Sequence, residues 1–195
     1  MLVLHSAVCV AQTQSADLVD TLNESAPLDL ALHVPRLPKS IFEISGAEVI
    51  GVDLSELVHR HGPAGLHRLT AREGAPVGIC YAASNTSITF RAGALGGWKQ
   101  VTGFTIARRA PGPSPAQCAG STALAAWLDK RTVTLFDADA LARELQRPDL
   151  PAGGLLVSES FADGGRQATR ISAITYGRSA TGRIEWLDIS SIIDR

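Results

Sequence analysis

Twice along this chain an aspartate stands before a short apolar helical stripe, and each time three strand-like segments follow. Asp53 and Asp137 are the two aspartates. An aspartate there can accept a hydrogen bond from one of the free amides of a helix's first turn, so it marks a helix start. After Asp53, Glu56 completes a capping-box pattern, and Leu54, Leu57 and Val58 fall on one helical face. Gly62-Pro63 ends that helix. After Asp137, the residues Ala138, Leu141, Ala142 and Leu145 repeat the stripe, and Pro148 ends it.

The segments after each helix alternate. Val77, Ile79 and Tyr81 share one strand face. Ile88 and Phe90 do the same in 87–91, as do Phe104 and Ile106 in 101–107. In the second stretch, strands are predicted over 155–160, 170–176 and 183–189. Turn residues separate the strands in both stretches: AASNT, AGALGGWKQ, Gly164-Gly165 and Thr181-Gly182. A strand over 41–44, another over 47–52 and one over Thr132–Phe136 complete the expectation. The predicted fold class is α+β, in two similar halves, each a short helix packed on an antiparallel meander sheet.

Boundaries follow from composition. Residues 1–11, MLVLHSAVCVA, are apolar and end in small residues before a polar run. They read as the remnant of a signal peptide or as a buried first strand. Residues 12–40 contain Pro27, Pro35 and Pro38 and read as a leader or tether. The first α+β half spans 41–110 and the second 118–195. PGPSPAQ between them carries three prolines and cannot be helical. With Cys9 set aside as part of the 1–11 segment, Cys80 and Cys118 form an even pair. In an exported chain such a pair is expected as a disulfide, with two buried thiols as the alternative. Localisation is therefore expected to be periplasmic or secreted.

Composition narrows the function classes. The formal net charge is −1, with 18 basic and 19 acidic residues, so no basic excess points to nucleic acid. No apolar run approaches the roughly 20 residues that span a bilayer as a helix. Hydrophobic residues make up 45% of the chain, enough for a packed core.

No catalytic pattern survives inspection. His59, His61 and His67 are the densest candidate for a metal or acid–base site. On a helix, however, side chains two positions apart point about 200° apart. Histidines near a helix C-terminus are the simpler reading. Asp137, Asp139 and Glu144 lack the spacing of a calcium loop. Ser158 and Ser160 lie outside any nucleophile elbow, with no histidine after them. The Gly93–Lys99 loop is too short before its lysine for a Walker A sequence, and a strand follows it. No metal or cofactor is expected.

The remaining candidates are surface groups. Trp98, at a glycine-rich loop tip beside Lys99, is either an exposed anchor or a lid folded over the sheet edge. Thr89, Arg91, Thr105, Thr175 and Glu185 are expected on the outward strand face, as plain solvated surface or as a docking face. Trp98, Lys99 and Arg91 are the binding candidates. Trp127 is expected in the core. Trp186 shares a phase with Ile184 while Leu187 and Ile189 lie on the other, which predicts a bulge or a strand covered on both faces.

The capped helix LSELVHRHGPAG leading into the meander ICYAASNTSITFRAG, repeated once and with a disulfide, resembles the tandem-repeat fold of the beta-lactamase-inhibitor-like proteins and the related small outer-membrane assembly lipoproteins. The likeness covers about residues 41–195. It departs from the pattern where Gly62 and Pro63 are adjacent and where no glycine precedes Pro148. The resemblance implies an exported protein that binds another protein through an exposed sheet face. The expected function is thus a non-enzymatic interaction module with a protein partner. The alternative is a small exported enzyme with a histidine-based acid–base site.

Overall fold

The computed structural model describes residues 29–30, 37–68, 77–83, 85–93, 99–108, 118–152, 154–163 and 165–194. Its strands are β1 (Asp29–Leu30), β2 (Glu43–Ile44), β3 (Ala47–Glu48), β4 (Gly65–Arg68), β5 (Val77–Ala83), β6 (Thr86–Ala92), β7 (Val101–Arg108), β8 (Ala119–Gly120), β9 (Leu155–Asp163), β10 (Arg166–Arg178) and β11 (Ile184–Asp194). Three helices, α1 (Leu54–His61), α2 (Thr122–Leu135) and α3 (Ala138–Glu144), and a 3-10 turn at Lys39–Ile41 complete the order. The fold is mixed α and β.

One sheet runs through the molecule in the order β1-β9-β10-β11-β7-β6-β5-β4, with β8 also on β5. Seven of its strands are antiparallel to their neighbours; the two-residue β1 and β8 are parallel to β9 and β5. The meanders β5-β6-β7 and β9-β10-β11 meet through their last strands, Phe104 opposite Ile189, Thr105 opposite Asp188 and Ile106 opposite Leu187.

The alternation read from sequence sets which side is buried. Ile79, Tyr81, Ile88, Phe90, Phe104, Ile106, Ile174, Leu187 and Ile189 all point to one face. They share a single core with Leu57 of α1, Leu124 and Leu128 of α2 and Leu141 of α3, so the three helices lie on that face. Tyr81, Phe90 and Phe104 form a tilted aromatic row through it, with centroids 6.3 and 6.1 Å apart.

Both helix starts behave as expected. Asp53 accepts from the Ser55 amide and Asp137 from the Ala140 amide. Gly62 closes α1 at φ 89°, a left-handed value that suits glycine. Glu56 does not complete a capping box; it pairs with Arg60 one turn on.

The expected strand at Thr132–Phe136 is a helix instead. Its β-branched residues suggested a strand, but they fall in the last turns of α2. There Leu124, Leu128 and Leu135 keep a helical spacing, and Ser121 caps the start. Tertiary burial of that stripe overrides local β propensity. The described part of 12–40 also belongs to the folded body. Leu37 is buried and its amide donates to Glu159 Oε1 at 3.0 Å, while β1 pairs with β9. The Met1–Ala11 and 111–117 segments, and the loop tip with Trp98, lie outside the described residues.

Cys80 and Cys118 form a disulfide, with Cα atoms 4.8 Å apart. Cys118 leads directly into β8, whose Ala119 lies opposite Tyr81 of β5. The covalent bond and the parallel pairing therefore hold the same junction. Among the described residues, no helix is long and apolar enough to cross a membrane.

Candidate functional site

The face of the sheet opposite the helices is the candidate site. Register places Thr89 and Arg91 of β6, Gly103 and Thr105 of β7, Trp186 and Asp188 of β11, and Ile171 and Thr175 of β10 on it. No described helix packs there.

At its centre, Arg91 reaches diagonally across β7 to Asp188. Its Nη2 donates to Asp188 Oδ1 at 2.8 Å and its Nη1 to Oδ2, a bidentate pair. Thr105 Oγ1 donates to Asp188 Oδ2 at 2.6 Å, and Arg91 Nη1 also contacts Thr105 Oγ1. The Arg91 and Asp188 side chains are 22% and 23% exposed, so the pair is only partly screened by solvent. Gly103 makes this crossing possible. A Cβ there would lie 2.8 Å from Arg91 Nη2. Arg91, one of the three binding candidates, is matched here by the Asp188 carboxylate.

Glycine plays the same part under Trp186. A Cβ on Gly177 would stand 2.1 Å from Trp186 Nε1, so the indole lies on the glycine across the strand pair. The expected bulge is present, with the register shifting between Gly177 and Arg178. It places Ile184 and Leu187 both in the core and Trp186 on the open face. Glu185 falls in that irregularity rather than at a regular outward position.

Further along, Ile171 and Ile192 face each other on β10 and β11. They are 44% and 47% exposed, two of the three large hydrophobic side chains exposed among the described residues. By register, Ser158, Thr169, Ala173 and Ser190 neighbour them on the same phase, with Asp194 opposite Thr169 at the end of β11. Sequence reading missed Ile171 and Ile192. Their signal is a large apolar residue on the polar phase of a strand.

Lys99 lies outside this constellation. It is exposed in the β6–β7 connection, and its carbonyl accepts from the Leu54 amide at 2.8 Å. The histidines do not converge. His59 is exposed, while His61 is half-buried with its ring edge-on to Tyr81 and its Nδ1 without a hydrogen-bond partner. Burial, aided by the neighbouring Arg60 charge, holds the His61 pKa below its ordinary value. The His67 side chain lies outside the described residues.

The acidic candidates are structural. Asp137 caps α3. Glu144 accepts from Arg131 Nη1 at 2.7 Å and from Ser40 Oγ at 2.8 Å, tying the 3-10 turn to α2 and α3. Burial alone would raise the Glu144 pKa; the hydrogen bonds from Arg131 and Ser40 outweigh it and hold the group below the ordinary glutamate value. Among the described residues, no three His, Cys, Asp or Glu side chains are arranged to hold a metal ion.

No family model, curated protein or solved structure matches this chain.

Proposed function

We propose that the chain is an exported, non-enzymatic interaction module, built of two like units, that binds another protein through the face of its sheet opposite the helices. The observation that carries this reading is the exposed Ile171–Ile192 pair on the face that no described helix covers. Exposed apolar side chains within a largely polar strand face suit a protein partner, because their burial drives association while the surrounding polar groups set register. The disulfide is compatible with export.

Pairing supports the two-unit reading. If Phe104, Thr105 and Ile106 match Leu187, Asp188 and Ile189, the three central pairs exchange with one another and Thr105–Asp188 lies on the local twofold. The third strand of each meander opens on a bulge: Val101 and Gly103 lie opposite Ala92 and Arg91, as Ile184 and Trp186 lie opposite Arg178 and Gly177. The short parallel strands match as well. Ala119 lies opposite Tyr81, which lies opposite Ile88; Asp29 lies opposite Leu155, which lies opposite Ile174. The family resemblance adds weight from the sequence side.

The test is recovery of partners from an envelope extract by wild type and by Ile171→Asp/Ile192→Asp. The double variant alters only exposed positions, and its melting curve checks folding. Loss of a partner that wild type retains supports the reading. Equal recovery of every partner overturns it, and recovery altered only by Trp98→Ala moves the contact to the loop. His61 offers no comparable support for the enzyme reading, since its buried Nδ1 meets neither carboxylate nor hydroxyl.

A further inference from the structure

The two proposed units differ in what precedes their capped helices, and that difference leaves a groove. In the first unit the segment before α1 lies along the start of β7. Gly51 N–H donates to the Val101 carbonyl, Val101 N–H to the Val52 carbonyl and Leu54 N–H to the Lys99 carbonyl, each at 2.8 Å. Asp53 bridges to Gln100 in the same run. An extended piece of chain thus lies along β7 beyond Gly103, where the pairing with β11 stops.

In the second unit, β11 starts at Ile184 and Asp137 caps α3 as Asp53 caps α1. The residues before Asp137 are the end of α2, not an extended segment. Among the described residues, no backbone hydrogen bond joins 135–138 to 181–184. Between them lies an open groove of about 540 Å³, with Arg108, Val133, Phe136, Asp137, Thr181 and Arg183 among its walls. That volume is in the range of binding clefts.

Its chemistry is asymmetric. The Arg108 guanidinium carbon sits 5.0 Å from the Phe136 ring centroid. Stacked this way, a guanidinium has its face held and its edge donors free. Among the described residues, neither Arg108 nor Arg183 has a carboxylate within ion-pair distance. Val133, 75% exposed, is the most exposed large hydrophobic side chain described. Asp137 has one oxygen engaged by the Ala140 amide. It and Asp139 share the groove, so a doubly charged phosphate is disfavoured against a single carboxylate.

We infer that this groove seats an extended peptide segment of a protein partner, with an acidic side chain on Arg108 and Arg183 and an apolar one on Val133. The segment lies along the start of β11 as Gly51–Asp53 lies along the start of β7. The inference rests on the two-unit reading, but not on the sheet face opposite the helices as a docking surface.

The experiment is a titration of the intact protein, followed by amide chemical shifts, with acetyl-Val-Glu-Val-Thr-amide and its Gln counterpart. The expected result is a set of shifts at Val133, Thr181, Arg183 and Ile184. Binding of the Gln peptide, and of the Glu peptide to Arg108→Gln or Arg183→Gln, is expected to be weaker by about tenfold, the factor one charge-assisted pair supplies. Arg183 is exposed, so its variant keeps the test valid if Arg108→Gln fails to fold. Equal binding of the two peptides overturns the inference. So does inorganic phosphate giving the same shifts with the same arginine dependence. Shifts confined to Ile171 and Ile192 overturn the groove and leave the sheet-face reading standing.

Discussion

At the residue scale, the open face is organised by positions that have no side chain. Gly103 lets Arg91 lie across β7, and Gly177 lets Trp186 lie across β10. A Cβ on Gly103 would also stand 2.8 Å from the Ile189 carbonyl oxygen, which is backbone and cannot swing aside. Gly103→Ala is therefore expected to cost about 1–3 kcal/mol, by overpacking and by displacing Arg91 from Asp188. Urea midpoints measure this, with Gly120→Ala as control, because a Cβ there meets nothing within 4 Å. His61 gives a second prediction. Its folded-state pKa lies below the ordinary 6.5, chiefly from burial and then from Arg60. The unfolded chain thus binds the proton more readily. Stability from this group is whole above pH 6.5 and declines as pH falls from there toward the lower folded value. Urea unfolding between pH 8 and 5 should show this decline, and His61→Gln should flatten it. An unchanged slope in the variant would assign the decline to other groups.

At the element scale, what was legible in the sequence is what is encoded locally. Asp53 and Gly62 bracket α1 because a cap and a left-handed glycine act within one turn. The six meander strands were legible because a sheet buried on one face imposes a period of two. The broken phase at Trp186 gave the bulge for the same reason. Three features were not legible. Thr132–Phe136 carries β-branched residues, and only the buried spacing of Leu124, Leu128 and Leu135 identifies α2. β1 and β8 are two residues each and exist only through partners distant in sequence. The Arg91–Asp188 pair depends on two meanders meeting at β7 and β11, which no local pattern announces. The disulfide belongs to this scale, because it fixes β8 and the start of α2 to β5. Closing a loop of sequence separation 38 is worth about 4 kcal/mol on the chain-entropy model. Reductant should lower the urea midpoint accordingly, and Cys118→Ser should match the reduced protein. No change on reduction would mean that the noncovalent pairing alone holds the junction.

At the scale of the whole molecule, one sheet has two unlike sides. The helices, the aromatic row and the leucine stripes share a single core on one side. On the other stand a neutralised ion pair, a tryptophan laid on glycine and two isoleucines open to solvent. Burying that second side against a partner is the proposed purpose of the molecule. A photo-crosslinking residue placed singly at Ile171, Ile192 and Ala123 in the producing cell tests this most directly, since Ala123 is exposed on the helix layer. A partner-bearing sheet face gives one discrete adduct, the same from positions 171 and 192, and none from 123. An adduct from 123 with none from 171 or 192 would contradict it.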